Sequence, residues 1–142
     1  MENKKKKVLK FLKTQRFCVL ATASKNSEPE AAVVCFFAKD IASIFLYTDP
    51  RSRKAKNLKE NDKASLVICD IGKEIEIQTD GKITILEGNK ANKAKEFILS
   101  VDPNQKPHMG KRPVVFLQFK PDWLRYCDFS REPDEIFEFE LS

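Results

Sequence analysis

Between Tyr47 and Ala55 the chain reads Y-T-D-P-R-S-R-K-A, and these residue types suit the holding of an anion. Ser52 is placed to cap a helix whose first turns carry Arg53, Lys54, Lys56 and Lys59, with Ala55 and Leu58 at apolar helical spacing. A helix start exposes backbone N–H groups and partial positive charge. A hydroxyl and two or three cations gathered there make a handle for a phosphate. The same residues read equally well as a solvated basic helix after an ordinary turn, and spacing alone does not separate the two.

Elsewhere no side chain announces itself as a general acid or base, so no catalytic residue is assigned. His108 is the only histidine and lies in a Pro-flanked loop, which leaves a His-rich metal site or a Ser-His-Asp arrangement without support. Cys18, Cys35, Cys69 and Cys127 form no C-x-x-C pair, and three of them sit in apolar strand-like runs. They read as small buried hydrophobes rather than metal ligands or redox groups.

The elements that must position the anion handle fit one domain of 142 residues, 42% hydrophobic and 33% charged, a globular composition. No apolar run is long enough to cross a bilayer, and Met1 to Lys7 leads into a short amphipathic segment rather than a secretory signal, so the expectation is a cytoplasmic protein without a membrane partner. The net charge of +5 is unevenly spread. Lysines cluster at Lys4 to Lys7, a second basic cluster runs from Arg51 to Lys63, and the C-terminal segment is acidic. A diffuse basic surface binds nucleic acid only weakly, at about 10⁻⁴ to 10⁻⁶ M, and both clusters lack interleaved aromatics apart from Phe11. A nucleic-acid-binding domain is therefore the less favoured reading.

Val8, Phe11 and Leu12 predict an amphipathic helix over residues 3–14 with its lysines in water. Strands are expected at Phe17 to Ala23, Ala31 to Ala38 and Ile41 to Thr48, close enough in sequence to form a meander. After the basic helix, Ala64 to Ile71 reads as a central strand. In Glu74 to Leu86, Ile75, Ile77 and Thr79 alternate with Glu74, Glu76 and Gln78; Asp80-Gly81 in its middle is either a hairpin turn or a bend in one long strand. A short helix around Ala91, Ala94, Phe97 and Ile98 ends at Asp102-Pro103, and Asn104 to Pro113 is the least regular part of the chain. Strand resumes at Val114 to Lys120 and Trp123 to Cys127, and a last alternating strand puts Phe137, Phe139 and Leu141 opposite Glu138 and Glu140. Many short antiparallel strands with two or three peripheral helices predict an α+β, mainly β, domain built on a barrel.

In this order of elements the chain resembles the pyridoxamine 5'-phosphate oxidase-like family of FMN-binding split barrels, from about Phe17 to Asp128. The most specific match is Y-T-x-x-x-S-R-K-A at Tyr47, Thr48, Ser52, Arg53, Lys54 and Ala55; weaker ones are L-A-T at Leu20 to Thr22, the strand glycine Gly81, and K-P-D-W-L-R-Y-C-D at Lys120 to Asp128. The resemblance implies an antiparallel split β-barrel and a homodimer with the flavin at its interface. It implies that Arg53 and Lys54 pair with the FMN phosphate, that Ser52 donates to it, and that Thr48 and Tyr47 lie near the ribityl chain or ring. Gln78, Trp123 and Tyr126 would serve the partner's side of the site. Two or three charged contacts at a helix start supply about 4 to 8 kcal/mol, against about 8 for micromolar binding.

Departures from the oxidases fall mainly on the substrate side. Where they carry an arginine and a lysine on an R-x-V-L-L-K strand, counting from Pro29 gives Ala32 and Phe37. Their flavin-contacting glutamine falls at Glu76, two residues before Gln78; the tryptophan after the aromatic appears as Cys127; and their C-terminal R-x-H has no counterpart. Pyridoxine phosphate oxidation is therefore not expected. The expected function is an FMN-dependent oxidoreductase acting on another small molecule or electron donor. The alternatives are a non-catalytic flavin- or haem-binding storage or sensor protein on the same fold, or a deazaflavin-dependent reductase.

Overall fold

In the computed structural model, which describes residues 2–141, the alternating runs become eight strands: β1 (Phe17–Ala23), β2 (Pro29–Cys35), β3 (Phe37–Asp40), β4 (Ser43–Thr48), β5 (Lys63–Asp70), β6 (Ile75–Leu86), β7 (Val115–Asp128) and β8 (Glu135–Glu140). The helices are α1 (Glu2–Thr14), α2 (Arg53–Glu60), α3 (Gly88–Val101) and the short α4 (Lys106–Gly110), which follows a 3-10 turn at Pro103–Gln105. All strands join one antiparallel sheet in the order β2-β1-β5-β6-β7-β4-β3, with β8 added to β7.

The two ends of that order, β2 and β3, are consecutive in the chain and joined by Phe36 alone. A sheet whose edge strands are covalent neighbours must curl until its edges approach, so this connection makes the sheet a split barrel. Phe36 donates its N–H to the Arg16 carbonyl (2.9 Å), and its own carbonyl accepts from the Arg16 guanidinium (3.0 Å).

This arrangement corrects the expected single strand from Ala31 to Ala38 and the three-strand meander. Phe36, Phe37 and Ala38 are all buried, whereas a regular strand turns successive side chains to opposite faces. The chain resolves the conflict by breaking at Phe36. The hairpins β1–β2 and β3–β4 form as expected, but they lie at opposite ends of the sheet.

At Asp80-Gly81 there is no hairpin. β6 runs straight through and pairs with β7 along its whole length, with a bulge where Asp80 faces Trp123 and Gly81 faces Pro121. A Cβ on Gly81 would lie 2.1 Å from the Lys120 carbonyl oxygen, so only glycine permits this approach. The bulge divides β7 into a half that pairs with β4 and a half that pairs with β8.

Inside the barrel, Leu20, Phe36, Leu66, Ile77, Phe119 and Leu124 form one core, closed by Val8, Phe11 and Leu12 of α1. A second cluster packs Ile98 of α3 and Met109 of α4 on Phe37, Phe45 and Phe116. The N-terminal lysines are not all solvated. Lys4 and Lys7 lie over the rings of Phe137 and Tyr126, and Lys7 also pairs with Glu135, so the basic run meets the acidic strand β8. Among the cysteines the burial expectation holds for Cys18 and Cys127, while Cys35 is half-buried and Cys69 exposed. Cys69 alternates with the buried Ile68 and so faces outward. Among the described residues no helix is long and apolar enough to cross a membrane.

Candidate functional site

Strand β4 ends at Thr48, and Asp49 turns the chain by accepting from the backbone N–H of Arg51 (2.8 Å). Ser52 then caps α2 from an extended conformation (φ −67, ψ 157), its Oγ accepting from the Ala55 N–H at 3.3 Å. That bond engages one of the helix's first amides, while those of Arg53 and Lys54 have no partner within the helix. The Thr48 hydroxyl lies 3.4 Å from that of Ser52.

These residues open onto a cleft of about 570 Å³, a size that holds a small ligand. Tyr47, Thr48, Ser52 and Lys54 line it from β4 and α2, and His108, Lys111 and Arg112 line it from α4 and the turn after it. The stretch Asn104 to Pro113, expected to be irregular, is thus mostly helical turns and forms the second wall.

A chain of polar contacts holds the two walls together. The Tyr47 hydroxyl donates to Gln105 Oε1 (2.6 Å), Gln105 Nε2 donates to Asp102 Oδ2 (2.9 Å), and Asp102 faces the Arg16 guanidinium at 3.7 Å. Burial, followed by the field of Cys35, raises the Tyr47 pKa, which keeps this hydroxyl a donor. The Asp102 carboxyl is held below its ordinary range, first by the hydrogen bond from Gln105.

Electrostatically the cleft is positive. Arg51 grips Asp49 with two side-chain hydrogen bonds of 2.7 and 3.0 Å, which, with the Arg51 amide, hold that carboxyl at about 2. Lys54, Lys111 and Arg112 form no ion pair among the described residues.

Of the residues singled out from sequence, Tyr47, Thr48, Ser52 and Lys54 come together in the cleft. Arg53, at the first position of α2, turns instead toward β2, where it faces Glu30 (3.3 Å) and donates to the Pro29 carbonyl (3.1 Å). Gln78 and Trp123 lie outside this cleft, on the outer face of the sheet. Strand register places Val33, Val19, Val67, Gln78, Arg125 and Glu138 in one row across six strands. Trp123 sits in the next row on the same face, and its indole donates to Glu138 (2.8 Å). Tyr126 faces the other way and is buried against Phe137, their rings stacked at 4.9 Å.

Sequence reading missed the wall that supplies His108, Lys111 and Arg112. Its one signal is the basic K-P-H-M-G-K-R-P stretch at residues 106–113, which carries no periodicity to say where it folds. Gln105, the link to Tyr47, lies 58 positions away in the chain and had no signal.

A hydroxyl, an ammonium group and unpaired helix-start amides form a donor set that fits a phosphate dianion. Among the described residues no cluster of His, Cys, Asp or Glu could hold a metal. Fold and cleft together define a split-barrel domain with a basic cleft where strand β4 turns into helix α2. The model of the pyridoxamine 5'-phosphate oxidase family matches residues 5–128, and the chain belongs to that family. A pyridoxine/pyridoxamine 5'-phosphate oxidase of Wolbachia pipientis wMel is 32% identical over 74 residues, covering 52% of this chain but only 34% of that protein. Among solved structures, a protein related to general stress protein 26 from Clostridium acetobutylicum matches with a TM-score of 0.71 at 20% identity, over 93% of this chain and 90% of that one. An FMN binding protein related to pyridoxamine 5'-phosphate oxidase from Nostoc punctiforme PCC 73102 gives 0.65 at 15% identity, over 89% and 88%. A heme binding protein from Mycobacterium smegmatis gives 0.72 at 16%, over 89% of this chain and 53% of that one.

Proposed function

We propose that this chain binds FMN and works as a flavin-dependent oxidoreductase on a small molecule other than pyridoxine phosphate. The observation that carries the reading is the cleft at the start of α2, where Ser52 and Lys54 converge with free helix amides in a member of this family. Lys54 neutralises a phosphate, Ser52 orients it through its hydroxyl, and Tyr47 and Thr48 border the chain that leads away from it. Arg53 joins them by exchanging its contact with Glu30 for the more highly charged phosphate. Bound there, FMN would supply hydride chemistry, and the protein would supply position and field.

The site is completed by a second copy of the chain. On the outer face of the sheet Phe17 is 62% and Val33 69% exposed, and the apolar row Val33, Val19, Val67 runs directly into Gln78. A continuous apolar patch of this kind marks an interface, and pairing through it would carry Gln78 and Trp123 to the partner.

An absorbance spectrum of the purified protein, with mass identification of what it releases, tests the reading. A flavin spectrum and the mass of FMN are expected. A deazaflavin mass, or no binding of added FMN, overturns it. The second reading, a haem-binding protein, draws on the similarity to the Mycobacterium protein and on His108, which lines the cleft as the one histidine available to an iron; a Soret band lost in His108→Ala would decide for it. Light scattering that finds a monomer at micromolar concentration would refute the shared site.

A further inference from the structure

Two hollows that share no residue with the cleft meet at Phe97 of α3 and Lys39 of β3. One, of about 250 Å³, lies between α1, β3 and the end of α3, over Leu12, Ala38 and Val101. The other, of about 260 Å³, lies against the start of α3, over Phe45, Leu86 and Ala94. Lys90, Ala94, Phe97 and Val101 follow each other at three- and four-residue spacing on one face of α3, so the hollows are consecutive along that helix. At about 1.5 Å of rise per residue, the groove they form is about 16 Å long from Lys90 to Val101. Its floor keeps apolar surface in water, with Val101 46% exposed and Phe97 half-buried.

The rim of this groove is basic throughout. Lys13 and Lys39 border the first hollow, Lys39, Lys90 and Lys93 border the second, and no carboxylate lines either. Among the described residues none of these four lysines forms an ion pair, and Lys39 holds its ammonium 6.0 Å from the centre of the Phe97 ring. Arg16, which also lines the first hollow, is already engaged by the Phe36 carbonyl and by Asp102. Scattered apolar residues or solvated lysines need no explanation separately. A continuous apolar floor beneath unpaired cations suits a ligand with an apolar body and an anionic end.

We propose that this groove binds a long-chain carboxylate, with the head between Lys90 and Lys93 and the chain passing Phe97 into the hollow over Leu12 and Val101. Lys90 and Lys93 are neighbours on an exposed helix face and can reach one anion together, whereas the first hollow has only Lys13 as an unpaired cation of its own. A chain fits better than a ring system because each hollow alone is below the roughly 300 Å³ of a ring-sized pocket, while the two in line are long and narrow. The site goes beyond the flavin reading and does not depend on it.

Dodecanoate, octanoate and dodecanol, each below the concentration at which it self-associates, are the probes, titrated calorimetrically into the full chain at neutral pH. Dodecanoate is expected to bind, at least about tenfold more tightly than octanoate, because each buried methylene carries a factor of about four. Dodecanol should bind at least about tenfold more weakly than dodecanoate, the factor carried by one charge-assisted contact. Lys90→Gln with Lys93→Gln should weaken dodecanoate to the same degree, while Lys56→Gln with Lys59→Gln, at the same spacing on α2, should leave it unchanged. Val101→Glu, at an exposed position, should also weaken it by setting a charge where the chain ends. No binding of dodecanoate, affinities for dodecanoate and octanoate within twofold of each other, or equal weakening by the two lysine pairs would overturn the proposal. Binding to phosphatidylglycerol vesicles without binding of monomeric dodecanoate would overturn it too, because the basic face would then be a membrane contact.

Discussion

Replacing Gly81 by alanine tests whether the barrel is built around the close crossing of β6 and β7. The added Cβ would meet the Lys120 carbonyl oxygen at 2.1 Å, and the Lys120 carbonyl carbon and Pro121 Cα at 2.9 Å. All three are backbone atoms, so no side chain can swing aside. Ordinary contact begins at 3.4 Å, which requires the strands to part by about 1.3 Å. Strand β7 cannot yield freely, because β4 and β8 are bonded to its two halves. Overpacking of this kind costs about 1 to 3 kcal/mol, and weakening two ladder hydrogen bonds adds about 1 kcal/mol each. A total of about 3 to 5 kcal/mol corresponds to a fall in melting temperature of roughly 10 to 17 °C for a domain of this size. Calorimetric melting of Gly81→Ala beside Gly110→Ala, where a Cβ meets nothing within 4 Å, makes the comparison. Two variants that both melt within about 2 °C of wild type would refute the crossing.

Arg53→Ala combined with Lys54→Ala should abolish flavin retention on gel filtration and lower the melting temperature only slightly, since the Arg53 side chain is 66% exposed although that of its partner Glu30 is 16% exposed; a double variant that stays yellow would show that the phosphate lies elsewhere. Acid should destabilise the protein in a defined window. The carboxyls of Asp49, Asp102 and Asp128 all sit below their ordinary value of 3.8, Asp128 chiefly through the Ser130 hydroxyl, so what they contribute is fully present above pH about 4 and lost as pH falls through the depressed values, about 2 for Asp49. Thermal melts from pH 6 to pH 2.5 should therefore be flat above pH 5 and fall below pH 4, with a shallower fall in Asp128→Asn, whose carboxyl is the buried one of the three. Equal slopes in the variant and the wild type would remove Asp128 from the account.

Local chemistry made part of this fold readable. The Ser52 cap, the alternation of β6 and β8, and the apolar stripe of α1 each depend on residues within one or two turns of each other, and all three form as their spacing predicts. What depends on the closing of the barrel was not readable. Phe36, Phe37 and Ala38 look like one more apolar strand until the sheet curls, when three consecutive buried positions require a break. Gly81 was ambiguous for the same reason, because the atom that forbids a side chain there belongs to Lys120, far along the chain. The cleft divides along this line too. Its α2 wall announced itself through a helix-start signal, whereas Lys111 and Arg112 are placed by the packing of α3 and α4, which no short pattern encodes. Arg53 shows the converse limit. Its type and position suited a phosphate, yet in the structure it faces Glu30 on β2, a partner 23 residues back in the chain.

One residue, Arg16, touches both the seam of the barrel and the wall of the cleft. Arg16 bonds to the backbone of Phe36 where the two sheet edges meet, stacks over the Phe37 ring at 4.3 Å, and faces Asp102 on the wall that carries Gln105. From there Gln105 reaches Tyr47 near the end of β4, next to the turn into α2. The network therefore runs from the barrel's seam to the edge of the site without leaving half-buried polar groups. A polar chain of this kind is rigid when each member is satisfied, and here it links the seam to the Tyr47 hydroxyl through Asp102 and Gln105. A ligand that bound in this cleft only when the chain is folded would stabilise the fold by mass action.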